Sequence, residues 1–195
     1  MHEQSLIFDY ILSSLIYCII SIPIYIILRL IWCKSKHKSF NWQREITLFL
    51  FVEFMVVFIS QTLYPLKMIY YWVKGTKLIY GGNDINLIPF KSISSYLLNA
   101  HNISFEIIFI NIFANILITI PIGFFLPLLW QKFHKFWRTF LHTSILIIAV
   151  ELIQPFFLRS TDIDDYILNI SGVIIGYVIW EIVIARRTLV SRGNP

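Results

Sequence analysis

Charge is scarce in this chain. Only 14% of its 195 residues are Asp, Glu, Lys or Arg, against roughly a quarter in a soluble domain. With 57% hydrophobic residues and a mean hydropathy of +0.73, this excludes a soluble globular protein and predicts an integral membrane one. No Lys/Arg-rich block, zinc-type Cys/His spacing or phosphate-binding Gly-rich loop is present. The net charge of +5 is therefore a matter of membrane topology before nucleic acid. His101, His134 and His142 have no metal-ligand spacing, and the pattern calls for no cofactor or metal. The two cysteines, Cys18 and Cys33, lie on one apolar run and its end, roughly 22 Å apart along a helix. A disulfide between them is excluded.

What the chain does have is long apolar runs and aromatics, with 17 Phe, 10 Tyr and 6 Trp suited to lipid-facing and interfacial positions. Five runs are long enough to cross a bilayer, predicting an all-α polytopic helix bundle. They cover residues 6–32, 46–66, 107–130, 140–158 and 167–185. Met1-His2-Glu3-Gln4 is not basic and no Ala-x-Ala follows, so the first run reads as a retained span rather than a signal peptide. Pro23 is expected to kink it. Residues 1–66 thus form two N-terminal spans joined by a basic connector. Residues 67–106 form an extracytoplasmic segment with a short interfacial helix at 93–98. Residues 107–185 form three further spans, and 186–195 a basic tail. Glu53, inside the second span, is either a functional carboxylate or one that hydrogen-bonds across the bundle, and with no partner in view the structural reading is favoured.

Five spans put the termini on opposite sides. Counting Lys and Arg by side gives eleven (Arg29, Lys34, Lys36, Lys38, Arg44, Lys132, Lys135, Arg138, Arg186, Arg187, Arg192) against five. The richer side is expected to be cytoplasmic, leaving the N-terminus outside and the C-terminus inside. That orientation gathers Asn111, Asn115, Glu151, Gln154 and Asn169 into the outer half of the membrane, next to the loop holding Arg159, Asp162, Asp164 and Asp165. Asn111/Asn115 and Asp165/Asn169 are four apart and Glu151/Gln154 three apart, so each pair shares a helix face. Polar faces inside membrane spans are expensive and read as functional. Asp162 or Asp164 would also suit the N-terminus of the fifth helix.

At these residues the sequence resembles the VanZ-like family of bacterial membrane proteins, named after a teicoplanin-resistance protein. The resemblance rests on Asn86-Leu87-Ile88-Pro89-Phe90, Asn111-x3-Asn115-Ile116-Leu117, and Pro121-Ile122-Gly123-Phe124-Phe125-Leu126-Pro127. It continues through Glu151-Leu152-Ile153-Gln154, Arg159-x2-Asp162-Ile163-Asp164-Asp165 and Asn169-x2-Gly172-x3-Gly176. These motifs occur in the family's order over residues 86–176, while the first two spans match only as apolar segments. Thr119 stands where the family usually has an aromatic. The resemblance implies a small multi-pass protein of the bacterial cytoplasmic membrane, linked in some members to lower susceptibility to teicoplanin-type lipoglycopeptides.

The chemistry must come from the residues. As a binding module, an outer-face polar cavity would hold a membrane lipid, a lipid-linked cell-wall precursor or a lipoglycopeptide. Asn111, Asn115, Gln154, Arg159, Asp162, Asp164 and Asn169 would be its binding groups. As an enzyme on a lipid-linked envelope substrate, it would use Glu151 as general acid or base, with Asp165 beside it. The three aspartates could otherwise hold a hard divalent cation. A transporter would place its polar groups at the midplane and carry a visible repeat, and neither is present. Gly172-x3-Gly176 reads as a close-packing helix face.

Overall fold

The computed structural model describes residues 6–36, 41–63, 85–157 and 160–192. Among the described residues, five helices are long and apolar enough to cross a membrane. They are α1 (Leu6–Lys36) and α2 (Trp42–Leu63), then, beyond a shorter α3 (Lys91–Leu98), α4 (Phe105–Leu129), α5 (Phe136–Ile153) and α6 (Ile163–Arg192). Two two-residue strands, β1 (Ile85–Asn86) and β2 (Thr161–Asp162), pair with each other.

Several boundaries differ from the hydropathy reading, each for a local reason. α2 starts at Trp42 rather than Ile46 because the Asn41 side chain accepts the Arg44 N–H at 3.2 Å, capping the helix. α5 starts at Phe136 and stops at Ile153, four residues earlier at its start and five at its end than the apolar run suggests. Beyond it Gln154–Phe157 tightens into a 3₁₀ turn, since Pro155 has no N–H to continue the α-helix. α6 begins at Ile163, not Ile167, because Asp162 caps it: its carboxylate accepts the Asp164 N–H at 2.9 Å. α1 runs to Lys36 with Pro23 inside it.

The chain forms two compact units, Met1–Asp84 with Ile153–Thr161, and Ile85–Leu152 with Asp162–Pro195. The first is built on the antiparallel pair α1–α2, held by a ladder of polar and aromatic rungs. Arg29 Nε and Nη2 donate to Glu45 at 2.6 and 2.7 Å, Tyr25 lies 5.5 Å from Phe49 between ring centroids, and Ser21 Oγ donates to Glu53 at 2.6 Å. Gln61 Nε2 closes the ladder on Ser13 and Ser14. The first three rungs are four residues apart along both helices and the last lies two turns further on, spacings that keep the side chains on one face. Glu53 thus joins helix to helix, as expected.

In the second unit α4 and α6 run parallel and nearly touch. A Cβ on Gly172 would sit 2.1 Å from Ile116 O, one on Gly176 1.9 Å from Ile120 O, and one on Gly123 2.0 Å from Val173 O. Only glycine fits at these three points, so the helix backbones meet there as small-residue interfaces allow. α5 adds Ile147 to a core with Ile170 and Val173, flanked by Phe140 and Tyr166. At the opposite end from the acids, Tyr177 donates to His134 O at 2.6 Å.

α4 is not one regular helix. Phe109–Ala114 is π-helical, a local widening frequent at functional sites. The helix breaks again at Ile118–Thr119 and restarts at Ile120 with Pro121 in its first turn, because Pro121 cannot donate to Leu117. The buried Thr119 hydroxyl spans this break and reaches Asn169 O at 2.6 Å.

Candidate functional site

Two motifs more than seventy residues apart in sequence fold into one structure. Asn86 turns the chain on itself, its Oδ1 accepting the Ile88 N–H at 3.2 Å. Its amide Nδ2 donates to Asp162 Oδ1 at 2.9 Å and to Ser92 Oγ at 3.1 Å. Ser92 Oγ in turn donates to Asp162 Oδ2. Asp162 therefore caps α6 and ties down residues 86–92 at once.

Asp164 performs the matching task for α3. That helix has no cap of its own: Phe90, at its N-cap, adopts the left-handed conformation with φ 64°, strained for a bulky side chain. Asp164 reaches in from α6 and accepts from the N–H groups of Phe90, Ser92 at 2.8 Å and Ile93 at 3.1 Å. Its side chain is 1% exposed. Burying a carboxylate is costly unless its oxygens are filled, and three backbone donors at a helix start fill them.

Asp165 has different neighbours. It is only half-buried, and its Oδ1 accepts from Asn115 Nδ2 at 2.7 Å. Asn115 also donates to Asn111 O at 3.0 Å, and Asn111 Nδ2 donates to Ile107 O at 2.7 Å, so both amides lie along the π-helical stretch. Burial pushes the Tyr96 phenol on α3 up from its usual pKa, and the charges of Asp165 and Asp162 push it further. Tyr96 thus stays protonated beside the acids, with a hydroxyl able to donate.

One turn along α6, Asn169 is 4% exposed. Among the described residues its Oδ1 accepts no hydrogen bond. Glu151, 6% exposed, extends the buried stripe of α5 one turn beyond Ile147.

The sequence-predicted group therefore divides. Asn111, Asn115, Glu151, Asp162, Asp164, Asp165 and Asn169 all belong to the second unit. Gln154 belongs to the first, in the 3₁₀ turn, donating to Thr62 O at 3.2 Å. Arg159 lies outside the described residues. Among the described residues no three His, Cys, Asp or Glu side chains assemble as a metal site. Ser92, Tyr96 and Thr119 went unnoticed as site residues. The signal for the first two was their four-residue spacing on α3, directly after Asn86-Leu87-Ile88-Pro89-Phe90.

No curated protein and no solved structure matches this chain. A family model does, VanZ/LLP1, over residues 46–184, more than half of the chain. The match starts within α2 and so includes a helix that the motifs at 86–176 did not reach. With five apolar helices in the described residues and this match, the chain is a multi-pass membrane protein and belongs to the VanZ/LLP1 family.

Proposed function

We propose that the acidic end of the second unit recognises the polar head of an amphiphile at the outer face of a bacterial cytoplasmic membrane. The N-terminus is then outside and the C-terminus cytoplasmic, as the Lys/Arg asymmetry favours. The ligand class is a membrane lipid, a lipid-linked cell-wall precursor or a lipoglycopeptide. The consequence is lower susceptibility to teicoplanin-type lipoglycopeptides. Asp165 and Glu151 face the bound group, with Asn111, Asn115 and Asn169 orienting it. Asp162 and Asp164 shape the loop around it.

The observation that carries the reading is the buried Asn169 Oδ1 without a donor among the described residues, one turn from the half-buried Asp165. Native structures rarely leave such an acceptor unfilled, and an exception calls for an explanation such as a ligand. Carboxylates and amide oxygens are acceptors, so the head group they suit is rich in O–H and N–H donors. The deep burial of Glu151 supports a second reading, in which it serves as general acid or base on a lipid-linked cell-envelope substrate.

The test is teicoplanin susceptibility in a sensitive host expressing the wild type, Asp165→Asn or Glu151→Gln at matched membrane abundance. Wild type protects and both variants lose protection. A well-expressed wild type without effect would remove the resistance role, and full protection by both variants would remove the site. Turnover of a lipid substrate, abolished by Glu151→Gln, would establish the enzyme reading.

A further inference from the structure

The first unit carries a groove of its own, independent of the acidic end of the second. It is an opening of about 410 Å³ between α1 and α2, walled by Ile24, Leu28, Leu48, Val52 and Val56, with Arg29 toward one end. That volume lies within the range of small-molecule sites, about 300–1,000 Å³. Its lining on α1 runs from Ser21 to Trp32, roughly 17 Å of helix. One leaflet of hydrocarbon is about 15 Å deep. The groove therefore spans a single leaflet, starting near the middle of the α1 and α2 spans and ending at the basic connector.

The basic end is organised rather than merely charged. Arg29 binds Glu45 through Nε and Nη2, and its guanidinium lies 4.3 Å from the centroid of the Trp32 ring. Two anchors fix its plane, and the bidentate pair leaves the Nη1 edge for another acceptor. Lys34 and Arg44 lie exposed at the same end, giving it a net positive charge beyond the Arg29–Glu45 pair.

We infer that this groove binds one acyl chain of an anionic glycerophospholipid, whose phosphate meets the Nη1 edge of Arg29 and the charges of Lys34 and Arg44. The length selects a leaflet-deep hydrocarbon chain, and the cations select a negative head group. Basic residues at a membrane surface attract anionic lipid in this way, and guanidinium suits phosphate as a fixed donor fork. By the Lys/Arg asymmetry this leaflet is the cytoplasmic one.

The full chain, purified in detergent, is mixed with phosphatidylglycerol or phosphatidylcholine of identical acyl chains, and retained lipid is read by native mass spectrometry. Wild type is expected to retain one phosphatidylglycerol with roughly fivefold preference, the factor that one near-surface cation contributes. Val52→Trp and Ile24→Trp, which fill the groove from either helix, lose the retained lipid. The fourfold change Arg29→Gln, Lys34→Gln, Arg44→Gln and Glu45→Gln keeps retention and erases the preference. Equal retention of the two lipids by wild type overturns the proposal. So does undiminished retention by whichever groove-filling variant remains monodisperse.

Discussion

Each unit places a glutamate within an apolar helix, and the two are used differently. In the first, Glu53 is one rung of a ladder that runs the length of α1 and α2, accepting from Ser21 between the Arg29–Glu45 pair and the Gln61–serine contacts. Polar side chains there specify how two helices align. In the second unit the helices are held mainly by glycine contacts and an apolar core. The polar groups collect at one end, where the acids work on loop and helix termini. A membrane carboxylate spread along a ladder is structural glue; carboxylates concentrated at one end of a unit are the ones to which the proposal above assigns recognition. Asp162 and Asp164 complicate that rule, because they sit in the cluster yet are consumed by anchoring.

The contrast can be broken most severely at the glycines. Gly176→Leu puts carbon where Ile120 O now lies and should cost about 3 kcal/mol or more, seen as loss of monodisperse protein in size-exclusion chromatography. Asp164→Ala strips three N–H groups of their acceptor, at a local cost of about 3 kcal/mol. Trypsin cleavage at the exposed Lys91 should accelerate markedly while the glycine-packed helices stay intact. Thr119→Val removes the bond to Asn169 O and should lower stability by about 1 kcal/mol, read as a small drop in thermal midpoint. Glu53→Gln sharpens the comparison from the other side. It keeps an acceptor for Ser21, so it should change stability by less than about 1 kcal/mol and leave drug susceptibility at the wild-type level.

The five spans were legible because hydropathy needs only run length. Their ends were less so, since Asn41, Asp162 and Pro155 set them through caps and a missing donor that a hydropathy window averages away. The acidic motif was visible as polarity out of place, and the possibility of an aspartate cap on the fifth helix was readable from position alone. What could not be read was that Asp164 would cap a different helix, because no local pattern links residue 164 to residues 90–93. The same holds for Gln154. Three residues after Glu151 it reads as the same helical face, but Pro155 ends the α-helix and turns it toward Thr62. The π-helical stretch around Asn111 has no signature in residue type that we can identify.

The central claim is a division of labour in which Asp164 holds the α3 segment and Asp165, bonded to Asn115, serves the recognition proposed above. Hydrogen exchange of peptides covering residues 85–98, measured for wild type, Asp164→Asn and Asp165→Asn in lipid nanodiscs, tests it directly. The account predicts protected amides in wild type and Asp165→Asn, and fast exchange at Phe90, Ser92 and Ile93 in Asp164→Asn. Equal opening in both variants would contradict it, making the acids a single structural cluster.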